Sequence, residues 1–171
     1  MSSLFSHHIE EIQTTEVPSA QEVRTDLYII SELPSGELWQ AFAEYMHLWW
    51  PLELRSSHEA HVELTEELLV EENAENELVP LAETVHYVPG DVIALQPVEN
   101  ALGGAFVDGL SFTFDEEDEG SSLEMSSGII GPQDIAPDAE LGVYARDREV
   151  AQMLLGGFAR FIGTSLKGDK P

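Results

Sequence analysis

All three tryptophans of the 171-residue chain, Trp39, Trp49 and Trp50, fall inside one short segment, Glu37–Pro51, which reads ELWQAFAEYMHLWWP. Indole rings are the bulkiest apolar side chains available, so three of them in one segment commit it to a core. The segment follows a strand-like run, Val23–Ser31, and a turn, Leu33-Pro34-Ser35-Gly36. Leu38, Trp39, Phe42 and Met46 are spaced for a helix, with Ser35 placed to cap it and Pro51 to end the segment. The order is strand, turn, short helix, aromatic stop.

Composition narrows the partners. The chain holds 33 acidic and 7 basic residues, a formal charge of −26. Such a chain repels phosphate backbones and anionic lipid, so neither nucleic acid nor a membrane is expected as a partner. With no cysteine there are no disulfides, thiolate zinc sites or cysteine nucleophiles. No segment reads as a secretory signal or a membrane span, which points to a cytoplasmic protein. An apolar fraction of 43% is ordinary for a folded domain.

Residues 1–20 are polar and are expected to form a flexible arm or an added edge strand. A single domain over 21–166 follows, with a tail at 167–171. In the first strand Val23, Thr25, Leu27 and Ile29 share one face. Ala60, Val62 and Leu64 alternate in a second strand, and Leu68–Leu78 reads as a strand entering an acidic turn. Leu81–Val88 and Val92–Pro97 flank a Pro89-Gly90 turn as a hairpin. Leu110, Phe112 and Phe114 alternate up to the acidic tip Asp115–Ser122, and Leu123, Met125 and Ser127 return from it. A Pro/Gly-punctuated connection leads to the longest helical pattern, Arg146–Leu166, with an apolar stripe of Val150, Leu154, Phe158, Phe161 and Ile162. An antiparallel sheet of that size needs one face covered, and the terminal helix alone is long enough to do it. The fold class is α+β: a curved antiparallel sheet of about six to seven strands around a long C-terminal helix, with two short helices after the first strand.

The stretch Leu33-Pro34-Ser35-Gly36-Glu37-Leu38-Trp39-Gln40-Ala41-Phe42, followed by Trp49-Trp50-Pro51, resembles the START/Bet v 1-like (SRPBCC) helix-grip superfamily. Within it, the chain is most similar to proteins like the C-terminal domain of the activator of Hsp90 ATPase. That resemblance implies an apolar-ligand cavity between the C-terminal helix and the sheet. Its candidate lining is Trp49, Trp50, His86, Phe112, Phe114, Met125, Phe158 and Phe161. Two departures weaken the chaperone implication. Many relatives carry a glycine-rich second hairpin where this chain has Glu71–Glu77, and a chain of this length is not expected to include the co-chaperone's separate N-terminal domain.

Gly156-Gly157 lie inside the long helix, where each glycine costs about 1 kcal/mol relative to alanine. Close approach to a strand, room for a ligand, or a simple kink would each account for them. His58 and His61 form H-x-x-H beside Glu59 and Glu63, but on a strand residues three apart face opposite sides, so no metal site is expected. His7-His8 reads as surface. The acidic runs Glu71–Glu77 and Asp115–Glu119 lack calcium-loop spacing and read as hairpin tips. No nucleophile-elbow, phosphate-loop or dinucleotide motif is present, and no catalytic residue or cofactor is assigned. The expected function is non-enzymatic binding of a small lipid-like or aromatic ligand. The rivals are a chaperone-associated protein-interaction domain and a cyclase or hydrolase using the same cavity.

Overall fold

The chain leaves one edge of its sheet, crosses to the far edge, and returns strand by strand to lie beside its own beginning. The structure, a computed structural model, describes residues 26–127 and 140–167. Strand β1 (Asp26–Ser31) leads into helices α1 (Ser35–Ala43) and α2 (Met46–Trp49) and a 3₁₀ turn, Leu52–Leu54. Strands β2 (His61–Leu64), β3 (Leu68–Glu72), β4 (Leu78–Val88) and β5 (Val92–Pro97) follow. A second 3₁₀ turn, Ala101–Gly104, precedes β6 (Leu110–Glu117), β7 (Gly120–Ser127) and the long helix α3 (Glu140–Ile162). The strands form one antiparallel sheet in the order β1-β7-β6-β5-β4-β3-β2. This is the helix-grip α+β fold. The residues 1–20 arm, His7-His8, the Val23 start of the first strand and the Pro/Gly connection lie outside the described residues.

Register builds the core face. Leu27, Met125, Phe112 and Ile93 line up across β1, β7, β6 and β5, and Ile29, Leu123 and Phe114 form a parallel row. The alternate rows, such as Ser111 with Ser126 and Thr113 with Glu124, carry polar groups on the other face. At the acidic hairpin tip, Gly120 has a φ of +116°, and a Cβ there would collide with the Ser31 carbonyl oxygen. Glycine is therefore required for β7 to begin so close to the end of β1.

Helices α1 and α2 deliver the aromatic segment onto that face. Phe42 meets Trp49, Phe112, Phe114 and Phe158 with ring centroids between 4.7 and 5.4 Å apart. Trp39 stands edge-on to Phe114 and Tyr87, so it packs α1 onto β6 and β4. Trp49 Nε1 donates to the Phe42 carbonyl at 3.1 Å, which ties α2 back to α1. Ser35 is not the cap: Pro34 holds that position, and the Ser35 hydroxyl donates to Glu116 instead.

Helix α3 begins six residues before the expected Arg146 and ends four before Leu166. Its end is set by Gly163, whose φ of +82° lets Thr164 N–H reach back to the Ala159 carbonyl at 2.9 Å. The chain then runs along β1. Lys167 exchanges main-chain hydrogen bonds with Tyr28, and the Thr164 hydroxyl donates to the Ile30 carbonyl. That cover shields an otherwise open sheet edge.

The two helix glycines separate cleanly. A Cβ at Gly157 would stand 3.1 Å from the Trp49 carbonyl oxygen and 3.4 Å from Pro51 Cγ, so a side chain there would push the end of α2 back from α3. A Cβ at Gly156 would meet only the far end of Arg160, at 3.5 Å. Gly156→Ala should therefore stabilise the fold by about 0.5–1 kcal/mol through helix propensity. Gly157→Ala should lower the melting temperature, because Trp49 and Trp50 are buried and hold that carbonyl in place. Equal melting shifts for the two variants, measured by calorimetry, would contradict this packing.

Candidate functional site: the cleft between the long helix and the sheet

Six of the eight residues expected to line a cavity, Trp49, Trp50, Phe112, Phe114, Met125 and Phe158, lie together in the core beneath α3. Around Phe42 their rings are in mutual contact, so there they occupy the space between helix and sheet. The other two lie outside this cluster, each for a definite reason. Ala82 faces inward on β4, and simple alternation would carry Thr84 and His86 inward with it. The β4–β5 register shifts between Thr84 and His86, however, leaving Val85 as an extra residue. This bulge reverses the phase: Tyr87 turns toward the core, and His86, opposite Ala94, is exposed. Phe161 is 41% exposed because in the last turn of α3 the core contact passes to Ile162.

Open space lies further along α3, toward its N-terminal half. Arg146, Glu149, Val150 and Met153 present one helix face to a cleft of about 370 Å³. Opposite them stand Glu71 of β3 and Leu81 of β4, with Leu54, Arg55 and Ser56 on one side and Asn100–Gly103 on the other. Leu54, Leu81, Ala101, Leu102, Val150 and Met153 make its walls apolar. A larger hollow of about 460 Å³ sits beside the last turn of α3, but it is bounded by the end of β1 and its following turn. It does not open between helix and sheet, and no buried ionisable side chain faces it.

One cleft wall is unusual backbone. Asn100, Leu102 and Phe106 all have positive φ, at 68°, 53° and 60°. Each such non-glycine residue is strained by about 1–3 kcal/mol, so the segment must be held by its surroundings. Two consecutive residues of α3 hold it. Arg146 Nε donates to the Gly103 carbonyl at 3.1 Å, and Phe106 N–H donates to Asp147 Oδ1 at 2.7 Å. Phe106 is fully buried and Asp147 is only 2% exposed. Burial pushes the Asp147 carboxyl above the ordinary carboxylate range, and Asp108 adds to that, while the Phe106 N–H pulls the other way.

The opposite wall is fixed by Arg55, whose Nη2 and Nε donate to the Trp50 carbonyl at 2.6 and 3.0 Å. Glu71 accepts from the Ser56 N–H at 2.9 Å. Sequence reasoning missed Glu71, Arg55, Arg146 and Asp147. A signal existed only for Glu71, two residues after Leu69 and therefore in phase with the core face of β3. The H-x-x-H histidines do not converge. His61 pairs across the ladder with Glu72 at 3.1 Å, and His58 sits in the preceding turn. Among the described residues no group of three or more His, Cys, Asp or Glu side chains is arranged to hold a metal ion.

Because the folded Asp147 carboxyl titrates above its unfolded value, its contribution is fully present below about pH 4. That contribution is lost as the pH rises through the raised value. Asp147→Asn keeps an acceptor for Phe106 N–H and removes the charge, so it should match or exceed the wild type at neutral pH. Asp147→Ala leaves the N–H unsatisfied and should cost about 1–3 kcal/mol. Melting curves across the acid range should show the wild type losing stability relative to Asp147→Asn as pH rises, and parallel curves would refute the assignment.

No family model matches the chain, and no curated protein matches it. Solved structures do. DynU16, a putative protein in the dynemicin biosynthetic locus, aligns with 17% identity and a TM-score of 0.55 over 82% of this chain and 47% of its own. Protein SSP2350 from Staphylococcus saprophyticus aligns with 14% identity and a TM-score of 0.51, over 85% and 97% of the two chains. An AHSA1-like protein from Aeromonas hydrophila aligns more loosely, with 12% identity and a TM-score of 0.47 over 82% and 92%. Identities this low carry the shared fold alone. What this chain has in common with the first two is the helix-grip architecture.

Proposed function

We propose that the domain binds a small molecule with an apolar body in the cleft between α3 and the sheet, without transforming it. The observation that carries this reading is the 370 Å³ cleft itself. Its volume falls within the range of small-molecule sites, and it sets an apolar surface of Leu54, Leu81, Leu102, Val150 and Met153 beside the polar side chains of Glu53, Arg55, Ser56, Glu71, Asn100, Arg146 and Glu149. The ligand space is shifted from the position the resemblance implies. The aromatic side chains expected to contact the ligand serve as packing behind it, and Leu54, Leu81, Leu102, Val150 and Met153 take their place.

Binding is favoured over catalysis by the chemistry of the lining. Ser56 is the hydroxyl in the cleft, and among the described residues its Oγ has no hydrogen-bonded base to activate it. The histidines at 47, 58, 61 and 86 are not part of the lining. A chaperone-associated role would rest on net charge alone, which an acidic solvated surface explains equally well.

The uncharged probe 2-phenylethanol, titrated into the protein and followed by amide chemical shifts, should move Leu81, Leu102 and Met153 together. Met153→Trp fills the cleft from the helix side and should weaken that binding by about tenfold or more. Shifts that appear elsewhere, or that survive Met153→Trp unchanged, would remove the cleft as the binding site.

A further inference from the structure

Glu71 occupies a position where the strand pattern calls for an apolar side chain. On β3 the alternation turns Leu69 and Glu71 toward the core, and Glu71 lies between Val62 of β2 and Val79 of β4 in the ladder. It is 4% exposed and lines the cleft. Burying a carboxylate is costly unless its lone pairs are satisfied. A carboxylate offers about four acceptor sites. Among the described residues Glu71 receives one hydrogen bond, from the Ser56 N–H to Oε2. Arg55 stands in the same cleft, but its donors are directed elsewhere. Its Nε and Nη2 are spent on the Trp50 carbonyl, and its Nη1 reaches the Ala60 carbonyl at 3.4 Å.

We infer that Glu71 is the recognition group of the cleft and that the ligand is an organic cation, an ammonium carried on an apolar body. The inference rests on the ligand-binding reading above and specifies its chemistry. A compact ammonium brings donors to the Glu71 carboxylate, as charge-assisted hydrogen bonds beside the one it accepts from Ser56. Glu53 and Glu149 add carboxylates to the same lining. The formal charge of −26 draws cations toward the protein from a distance and repels anions. The apolar body then covers Leu81, Leu102 and Met153. Arg146 remains a structural tie, holding the Gly103 carbonyl of the cleft wall.

The test compares three probes of similar shape on the full chain: 2-phenylethylamine, 2-phenylethanol and 3-phenylpropionate. Each is titrated against wild type and Glu71→Gln, with amide shifts of Leu81, Leu102 and Met153 as the readout. The variant keeps an acceptor for Ser56 N–H, so its melting temperature should stay close to that of the wild type. On the wild type the amine should bind about tenfold more tightly than the alcohol, and the propionate should bind weakest. In Glu71→Gln the amine should lose about that factor while the alcohol is unchanged. The wild-type ranking, and its weakening as salt is added, need no variant and so stand even if Glu71→Gln folds poorly. If amine and alcohol bind the wild type alike, or Glu71→Gln leaves the amine unaffected while the alcohol still shifts the cleft, the inference is overturned and the cleft remains a ligand site. If no probe shifts the cleft, both readings fall.

Discussion

The structure depends on one ring. Phe42, at the end of α1, lies against Trp49 of α2, Phe112 and Phe114 of β6, and Phe158 of α3. Through it the two short helices, the sheet and the long helix share a single contact point. Edge-to-face and tilted pairs of this kind add roughly 0.5–1.5 kcal/mol each beyond the area they bury. Moving any one of the three layers would disturb the packing of the others. Gly157 shows how tightly the arrangement is drawn, since a methyl group there would force Trp49 and Pro51 to give by a few tenths of an ångström.

This aromatic lock decides where a ligand has room. Around Phe42 the gap between helix and sheet is closed by rings. Toward the N-terminal half of α3 the lining changes to Leu81, Leu102, Val150 and Met153, smaller or unbranched groups that leave a cleft. The strained segment from Asn100 to Phe106 closes that region from one side. It keeps its shape because Arg146 and Asp147, neighbours in sequence, satisfy its main chain from α3. Position along one helix thus separates two tasks: Gly157 and Phe158 fasten the fold, while Arg146 to Met153 shape the cleft.

Much of the fold was legible because side-chain period and turn chemistry agreed. Leu110, Phe112 and Phe114 alternate as a strand must, Pro89-Gly90 marks the β4–β5 turn, and the Trp segment announces its own burial. The α3 boundaries were less legible because the apolar stripe does not mark where a helix starts, and its end is set by Gly163. His86 was misplaced by a single bulge, since a strand read from sequence keeps its phase while a real ladder can slip by one residue at Val85. The cleft itself was hardly legible. Its walls come from five separate stretches of chain, and Arg146 and Asp147 act on main-chain groups about forty residues away, which no local spacing reveals. Glu71 was read as part of an acidic tip because six of the seven residues Glu71–Glu77 are polar, although its phase with Leu69 placed it on the core face.

The central claim is that aromatic packing around Phe42 is solid and that the accessible apolar space lies beside Arg146–Met153. Crystals pressurised with xenon would test it directly, because xenon occupies unfilled apolar space without needing a particular hydrogen-bond partner. Xenon density should appear between Leu81, Leu102 and Met153, with none among Phe42, Trp49, Phe112 and Phe158. Density inside that ring cluster would contradict the account, since it would place open space where the aromatic lock is said to close it.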